Sequence, residues 1–419
     1  MVGFLTTIYT GVRHTGAGGR KMSSIPKRVC VGAAIVALAL SAFVIPTEAQ
    51  GRAAEWTFAI YMCSDNDLDI WGDMNTDQLK ETGSSDAVNL IVLWDRSDGP
   101  AKLYKVEKGS LLEMKDYKYN GIEVNMGDPK ILESFMNYID SRFPAEHLVL
   151  DLWDHGDDFR GICFDDNTGT RLEEDYLTHQ EITSALGGKS ISILAADGCG
   201  LGVVEVAYEY AMNGVTAEWF VANENYVPLQ GFPYDMIAKD LVANPAMTPE
   251  QLSIIMVDYY ADLYAKGWLT ELAAIKMSEV PRMVSELWDV TTILMSDMQA
   301  YKGEISAARG QATMGWSQYG WEGYVDFPTI FEVINSRAVV GSDLQIQTAE
   351  LLAAIESAIP YIGLSQPADV WDPEGMSVFF PNADGSYKHN TFWRGSLYPN
   401  MQFAQDGWLD FLDCYWNNL

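Results

Sequence analysis

The chain has 419 residues, of which 48% are hydrophobic, so it is long enough to bury a large core and to hold two domains. Its 58 acidic residues outnumber 27 basic ones, and the net charge of -31 is distributed along the chain rather than confined to a tail. This excess of acid argues against nucleic-acid binding, which needs a basic footprint. It fits a solvated acidic surface, with basic ligands or a salty extracellular setting as alternatives.

Residues 1–49 are typical of an export signal. Lys27 and Arg28 precede an apolar stretch at 29–45, and Thr47–Ala49 offers a cleavage site with small residues. An uncleaved membrane anchor is the alternative interpretation of the same segment. The sequence therefore predicts a secreted, extracellular protein, which contacts a membrane only if this segment is retained.

Apolar runs and turn residues predict alternating strands and helices after the signal. Strands are expected at Trp56–Met62 and Ala87–Trp94, with a helix between them. A hairpin excursion is expected at 101–125. Asp128 and Pro129 then supply an N-cap and a first-turn proline for the helix that leads into the next strand.

The next two apolar runs both end in polar residues of catalytic type. Leu148–Trp153 runs into Asp154-His155-Gly156, and Ile191–Ala196 runs into Asp197-Gly198-Cys199. If both runs are parallel strands, the histidine and the thiol stand at one edge of one sheet, where open α/β sheets bind ligands. The stretch between them has room for a single helical crossover, which makes the two strands near neighbours.

Later elements complete the predicted fold. Thr178 and Glu181 have the spacing of a capping box for a short helix before the cysteine strand. A further strand is expected at Glu218–Asn223, helical patterns follow from Thr248 to Ser357, and a late strand is expected at Met376–Phe380. This order predicts an α/β fold with a mostly parallel sheet flanked by helices and a helix-rich C-terminal region.

The pair of His155 and Cys199 suits acyl transfer. A helix expected from near Leu201 places its N-terminus at Cys199, and both a helix dipole and a nearby imidazolium favour the thiolate. The backbone N–H groups of Gly156 and Cys199 can converge on the oxygen of a tetrahedral intermediate. A carboxylate at Asp197 can line the substrate pocket and select arginine or lysine. Taken singly, a His-Gly turn and a buried cysteine are ordinary structural features, so the shared topology carries this interpretation.

The remaining cysteines and acids give weaker indications. Removal of the signal leaves Cys63, Cys163, Cys199 and Cys414, which allow one disulfide in an oxidising compartment without indicating the pair. The absence of CxxC spacing argues against structural zinc. The acidic run Asp65–Asp69 lacks the glycine and glutamate of an EF-hand and fits a helix start better, so no metal ligand is predicted.

Beyond these patterns, an ordered set of short motifs covers most of the mature chain. The motifs are Trp56–Phe58, Tyr61–Met62, Asp65–Leu68, Asp95–Arg96, Gly127–Pro129, Asp154–Gly156, Asp197–Cys199, Glu205–Glu209, Gly231–Tyr234 and Gly375–Pro381. In this order they resemble the clostripain family of secreted cysteine peptidases, which are relatives of caspases, legumain and gingipains. The resemblance implies a caspase-like core at residues 50–266 and a C-terminal region at 267–419 that supports the sheet.

The resemblance also implies roles for individual residues. His155 would be the base, Cys199 the nucleophile, and Asp197 the floor of a pocket for arginine or lysine in peptide or protein substrates. Glu224 lies where the family often keeps a second polar pocket residue. Some relatives need calcium and others do not, so calcium is a possible cofactor that the sequence does not decide.

Two segments next to the catalytic motifs depart from the family pattern. Asp157–Phe159 stands where the family usually has a small residue, glycine and tryptophan, and Gly200–Gly202 replaces bulkier residues after the cysteine. These departures affect the expected shape of the subsites rather than the pair itself.

Family members are often matured by a cut between the two catalytic residues. In this chain the polar segment Phe164–Tyr176 carries one basic residue, Arg171, so self-cleavage after Arg171 is expected. Lys189 is a poorer candidate because it abuts the predicted cysteine strand.

Other functions fit the sequence less well. A catalytically weak relative that binds peptides or surface ligands is the nearest alternative. A metallohydrolase is poorly supported because the histidines form no helical ligand pair and HExxH is absent. A serine hydrolase is poorly supported because GxSxG is absent.

Overall fold

A nine-stranded sheet runs through the centre of the protein. The computed structural model describes residues 53–169, 174–312, 323–366, 372–381 and 397–419. The strands in chain order are β1 (Ala54–Ser64), β2 (Val88–Arg96), β3 (Gly99–Glu107), β4 (Ser110–Glu113), β5 (Ala145–Trp153), β6 (Gly156–Asp157), β7 (Gly161–Asp165), β8 (Asp175–Leu177), β9 (Ser190–Asp197), β10 (Thr216–Ala222), β11 (Glu271–Lys276), β12 (Tyr324–Asp326), β13 (Tyr361–Leu364) and β14 (Ser377–Phe379).

Helices connect most of these strands. In chain order they are α1 (Asp69–Thr82), α2 (Pro129–Arg142), α3 (His179–Leu186), α4 (Val204–Met212), α5 (Tyr234–Ala243), α6 (Pro249–Tyr264), α7 (Val280–Ser296), α8 (Met298–Ala312), α9 (Phe327–Arg337), α10 (Asp343–Ala358) and α11 (Leu409–Trp416). Among the residues described, none of the helices combines the length and the apolar character that a bilayer crossing requires.

The sheet order is β13-β11-β10-β9-β5-β1-β2-β3-β4. The central strands β2, β1, β5, β9 and β10 are parallel to one another, whereas β3 and β4 at one edge and β11 and β13 at the other are antiparallel. The predicted α/β fold with a mostly parallel sheet is confirmed. The hairpin excursion expected after β2 is the β3–β4 edge.

The central strands are buried on both faces, which explains their nearly continuous apolar sequences. Along β1, Tyr61 and Cys63 join a core formed with α2, α3, α4 and α7. The intervening Ile60 and Met62 join a second core formed with α1, α5 and α6. The two-residue period of a strand therefore divides its side chains between two layers of helices.

Local capping signals begin the helices that return the chain to the sheet. The Asp128 side chain accepts a hydrogen bond from the Lys130 N–H at the start of α2. Thr178 and Glu181 form the predicted capping box at the start of α3. These side chains satisfy backbone donors that the first helical turn leaves unpaired.

Residues after 266 extend the sheet. The predicted boundary falls between α6 and β11, and β11 pairs with β10 in a register that places Lys276 opposite Trp219. The late strand β14 is present, but it pairs with β12 in a separate two-stranded sheet and bridges the main body through Ser377 and Val203.

Candidate active site

The ends of β5 and β9 bring the predicted histidine and cysteine to one place. The two strands are adjacent and parallel, and Trp153 at the end of β5 pairs with Asp197 at the end of β9. The Asp154 N–H continues this contact by donating to the Asp197 carbonyl at 3.2 Å. Since His155 and Cys199 each follow their strand by two residues, they leave the sheet side by side.

Both residues line a cavity of about 160 Å³ at this edge of the sheet. Its lining residues are Leu68, Trp153, Asp154, His155, Asp197, Gly198, Cys199, Tyr226, Val227, Pro228, Leu229 and Gly231. His155 also lines a second, more polar cavity of about 390 Å³, which Asp67, Asp157 and Arg160 help to form. The histidine therefore stands between two depressions on the surface.

Gly156 allows the two loops to approach closely. A Cβ atom on Gly156 would lie 2.4 Å from the Cys199 carbonyl oxygen and 3.0 Å from the Cys199 nitrogen. Any side chain at this position would push the histidine and cysteine loops apart. The glycine after the histidine is thus required by packing as well as by access for a substrate.

The Cys199 thiol is half-buried and bound to the loop after β10. Its Sγ accepts a hydrogen bond from the Val227 N–H at 3.3 Å and lies 3.7 Å from the Val227 carbonyl oxygen, to which it donates. Burial raises the pKa of Cys199 to about 12, although the Val227 N–H acts in the opposite direction. In this state the cysteine is a neutral thiol rather than the thiolate expected from the sequence.

The helix after the cysteine begins later than predicted. The expected start near Leu201 is wrong, because α4 starts at Val204. Gly200 adopts a left-handed conformation with φ of 67°, and its N–H donates to the Asn225 carbonyl, while Gly202 donates to Asn223. A helix dipole acts mainly within the first turn, so α4 cannot supply the thiolate stabilisation that we expected at Cys199.

His155 faces an acid instead of the thiol. Its Nε2 lies 2.7 Å from Asp67 Oδ1, and the side chains are 42% and 83% exposed, respectively. Asp67 belongs to the loop that follows β1, the strand next to β5. An exposed contact of this kind contributes little free energy, so the imidazole can turn away from it at small cost.

Asp197 is buried at the base of the first cavity. Its Oδ2 accepts a hydrogen bond from the Phe232 N–H at 2.8 Å and lies 2.9 Å from the Tyr234 hydroxyl. Its Oδ1 forms no hydrogen bond with any described residue. Burial raises the pKa of Asp197 to about 7, and the hydrogen bonds from Phe232 and Tyr234 act against this rise.

A second acid lies behind Asp197. The Tyr234 hydroxyl is 2.6 Å from Asp151 Oδ2 as well as 2.9 Å from Asp197 Oδ2. One hydroxyl carries one proton, so a second proton is needed for both contacts to be hydrogen bonds. Burial and the charge of Asp197 raise the pKa of Asp151 well above its usual value. The Tyr234 hydroxyl thus lies between the two buried acids, within hydrogen-bond distance of one oxygen of each.

Glu224 does not line the cavity. It is buried behind the sheet edge, where its Oε1 accepts a hydrogen bond from the Gly375 N–H at 3.0 Å and its own N–H donates to Glu271 Oε1 at 2.7 Å. Burial first, and then the charges of Asp326 and Glu271, raise its pKa well above the usual value. The residue joins the late segment before β14 to the main sheet.

The raised pKa values of the buried acids around Glu224 predict that the folded protein is less stable in alkali. Burial raises the pKa of Glu271 to about 8, so the stability that its neutral form provides is lost as the pH rises through 8. We expect Glu271→Gln to reduce the fall in unfolding midpoint between pH 6 and pH 9 by about 3 to 5 °C. Thermal unfolding of both proteins across this range, with Glu356→Gln on the exposed face of α10 as control, measures the effect. Equal pH dependence in the wild type and Glu271→Gln would contradict it.

Two further expectations concern the processing site and a disulfide. Arg171 lies outside the described residues, so the processing site is a prediction only. The thiols of the described chain are free, and those of Cys63 and Cys163 are both buried and interact with each other. Burial raises the pKa of both thiols.

Several residues around the site were not given a role by the sequence. Tyr234 lies in the Gly231–Tyr234 motif. Asp151 is an acid inside an otherwise apolar strand, and this position was the sequence signal for a buried polar contact. Val227 acts through its backbone, which no side-chain pattern can reveal. Asp67 was recognised only as part of an acidic helix start.

Comparisons with known proteins agree with this geometry. The model of the clostripain family matches residues 60–386. Clostripain from Hathewaya histolytica is 27% identical over 429 aligned positions, covering 85% of this chain and 80% of that protein.

Solved structures show the same fold. An inactive zymogen C11 protease from Parabacteroides distasonis superposes with a TM-score of 0.64 at 17% identity, covering 84% of this chain and 98% of that one. A secreted C11 cysteine protease from Bacteroides thetaiotaomicron, in complex with an irreversible peptide inhibitor, superposes with a TM-score of 0.63 at 14% identity. This match covers 85% of the present chain and 99% of that one. With the family model matched over most of its length, this chain belongs to the clostripain family of cysteine endopeptidases.

Proposed function

We propose that the protein cleaves peptides after arginine or lysine, with Cys199 as nucleophile and His155 as general base. The observation that carries this proposal is the placement of both residues on one cavity with the buried acid Asp197 at its base. The second cavity beyond His155 gives room for the chain on the other side of the scissile bond. A cavity on each side of the catalytic pair suits an endopeptidase.

The reaction needs a proton transfer that the free enzyme does not yet show. His155 turns from Asp67 towards Cys199 and accepts the Sγ proton, and the thiolate attacks the carbonyl carbon of the substrate. The N–H groups of Gly156 and Cys199 donate to the oxyanion. The imidazolium then returns its proton to the leaving amine, which leaves a thioester. Water, deprotonated by His155, hydrolyses that thioester and restores the thiol.

Asp197 provides the proposed preference for a basic residue. Its Oδ1 has no hydrogen-bond partner among the described residues, so it can accept from a guanidinium or ammonium group in the cavity. Tyr234 and Phe232 hold the other oxygen and fix the direction of the carboxylate. Glu224, which lies outside the cavity lining, supports the fold rather than the substrate in this proposal.

Hydrolysis of fluorogenic peptides ending in Arg, Lys, Asp or Asn tests the proposal directly. Turnover of the Arg and Lys peptides alone supports it, and equal turnover of all four peptides would count against the pocket assignment. A binding protein without activity would retain peptide affinity in Cys199→Ala while the wild type hydrolysed none of the peptides.

Self-processing is proposed between the two catalytic residues. We expect the active wild type to contain a fragment that begins at Leu172, because Arg171 is the basic residue of this polar segment. Arg171→Ala and Cys199→Ala should both leave the segment uncut, whereas Lys189→Ala should not. Terminal sequencing and intact mass measure the outcome. A fully active preparation without that fragment would contradict the proposal.

Secretion is proposed from the N-terminal segment and from the secreted relative of Bacteroides thetaiotaomicron. Residues 1–49 lie outside the described residues, so their export role rests on the sequence pattern. Mass analysis of the protein from the culture medium identifies the mature N-terminus.

A further inference from the structure

An apolar wall borders the cavity that contains Asp197. Tyr226, Val227, Pro228 and Leu229 form one side of this cavity, and none of them carries a charge. Leu229 is 45% exposed, so its side chain lines the cavity from the surface rather than from the core. The chain as a whole has a net charge of -31. An apolar surface beside the catalytic pair is therefore a local feature that the overall composition does not explain.

A tryptophan from a second loop extends this wall. The ring of Trp268 stacks on the ring of Tyr226, with centroids 5.9 Å apart and an angle of 21° between the planes. Trp268 is 39% exposed, whereas Trp56 and Trp408 are fully buried. A large ring that stays partly in water forgoes free energy of burial, which a molecule that covers it would recover. The stacked pair thus presents apolar area next to the cavity.

Buried hydrogen bonds hold both aromatic residues by their backbones. The Thr270 hydroxyl donates to the Tyr226 carbonyl oxygen at 2.7 Å, and the Ser365 hydroxyl donates to the Trp268 carbonyl oxygen at 2.8 Å. The Thr270 N–H in turn donates to the Ser365 hydroxyl oxygen at 2.9 Å. Thr270 and Ser365 are 0% and 4% exposed, respectively. The exposed rings therefore stand on a fixed base, as a preformed binding surface requires.

The position of the wall indicates which part of a substrate it meets. In the proposed mechanism Asp197 binds the arginine or lysine side chain, and the second cavity beyond His155 takes the chain after the scissile bond. Tyr226 and Leu229 line the first cavity but not the second. The wall thus lies on the same side of the catalytic pair as the arginine pocket, where the residues before the cleaved bond are bound.

We propose that Tyr226, Trp268 and Leu229 form a subsite for an apolar side chain at the substrate residue immediately before the arginine or lysine. This inference deepens the proposed function and rests on its assignment of Asp197 to the basic side chain. It specifies the preferred substrates as peptides in which an apolar residue precedes the basic one. Leucine at that position buries more apolar area against the rings than alanine does. Aspartate loses this gain, and its carboxylate loses water against the rings.

Hydrolysis of peptides that differ only at this residue tests the subsite. The peptides carry leucine, alanine or aspartate before an arginine that is linked to a fluorophore. We expect the wild type to show a kcat/KM about tenfold higher for the leucine peptide than for the alanine peptide. The aspartate peptide should have the lowest kcat/KM of the three.

Variants of the wall should change this leucine-to-alanine ratio. Trp268→Ala removes the outer ring and should lower the ratio about fivefold, as should Tyr226→Ala, whereas Trp268→Phe keeps an apolar ring and should retain most of it. Leu112→Ala is the control, because Leu112 is 53% exposed on β4 at the opposite edge of the sheet, and it should leave the ratio unchanged. Asp197→Asn should lower kcat/KM for all three arginine peptides without changing the ratio.

Peptide binding to Cys199→Ala gives a readout that does not need turnover. Calorimetric titration should show binding of the leucine peptide that is about tenfold tighter than binding of the alanine peptide, and adding Trp268→Ala should reduce this difference. If the wild type hydrolyses none of the peptides while the binding difference is present, the proposed peptidase function fails and the subsite is supported. If the leucine and alanine peptides are bound and hydrolysed equally well, the subsite fails and the peptidase function is supported.

Three results would overturn the proposal. The first is a leucine-to-alanine ratio near one in the wild type, in both turnover and binding. The second is a ratio that Trp268→Ala and Tyr226→Ala both leave unchanged. The third is a change in the sedimentation of Trp268→Ala with an unchanged ratio, which would assign the exposed rings to contact between copies of this chain.

Discussion

Replacing Cys199 by alanine is expected to lower kcat/KM for an Arg peptide by at least about 10⁴-fold, because alanine lacks the sulfur that forms the proposed acyl intermediate. His155→Ala should have a similar effect, since the thiol of Cys199 has a pKa of about 12 and needs a base to become a nucleophile. The double variant should be no slower than either single variant, because the two side chains act as one unit. Steady-state hydrolysis of the four fluorogenic peptides measures these ratios.

Cys414→Ala is the matched control for this experiment. Cys414 is also a free, partly exposed thiol, but it lies in α11 and does not line either cavity at His155. Its removal should leave kcat/KM unchanged within a factor of about two. Turnover in Cys199→Ala that exceeds about one per cent of the wild type would assign the reaction to another nucleophile.

The sequence indicated that His155 and Cys199 lie together because their placement depends on strand order. Apolar runs predicted β5 and β9, and polar residues directly after parallel strands must emerge at one edge of the sheet. The register of Trp153 with Asp197 then brings His155 and Cys199 to the same level. Local patterns were sufficient for this part of the site.

The details around the pair depend on loops that no periodicity encodes. The later start of α4 follows from a left-handed Gly200 and from hydrogen bonds with residues after β10. The contact between His155 and Asp67 joins two loops far apart in the chain. Glu224 was expected near the substrate from its place in the motif order, but it faces the late segment at Gly375. These positions depend on long-range packing and became visible only in three dimensions.

Replacing Asp197 by asparagine is expected to remove the preference for a basic residue. A desolvated ion pair broken on one side costs about 3 to 5 kcal/mol, so the ratio of kcat/KM between an arginine peptide and its uncharged citrulline analogue should fall by about two to three and a half orders of magnitude. The citrulline peptide keeps the shape of the arginine peptide, so its kcat/KM should fall far less in Asp197→Asn. Asp157→Asn, which removes a charge from the second cavity, should leave the ratio nearly unchanged.

The pH dependence of the same kcat/KM ratio distinguishes an arginine preference set by Asp197 from one set by a surface charge. Asp197 has a raised pKa of about 7, so its charge, and with it the arginine preference, is present above that pH and is lost as the pH falls through it. Tyr234→Phe removes a hydrogen bond to the ionised form and should move this loss to higher pH while retaining the preference in alkali. The citrulline peptide reports the titration of the catalytic pair alone and provides the reference profile. A ratio that is independent of pH from 5 to 9 in the wild type would show that a different group selects the substrate.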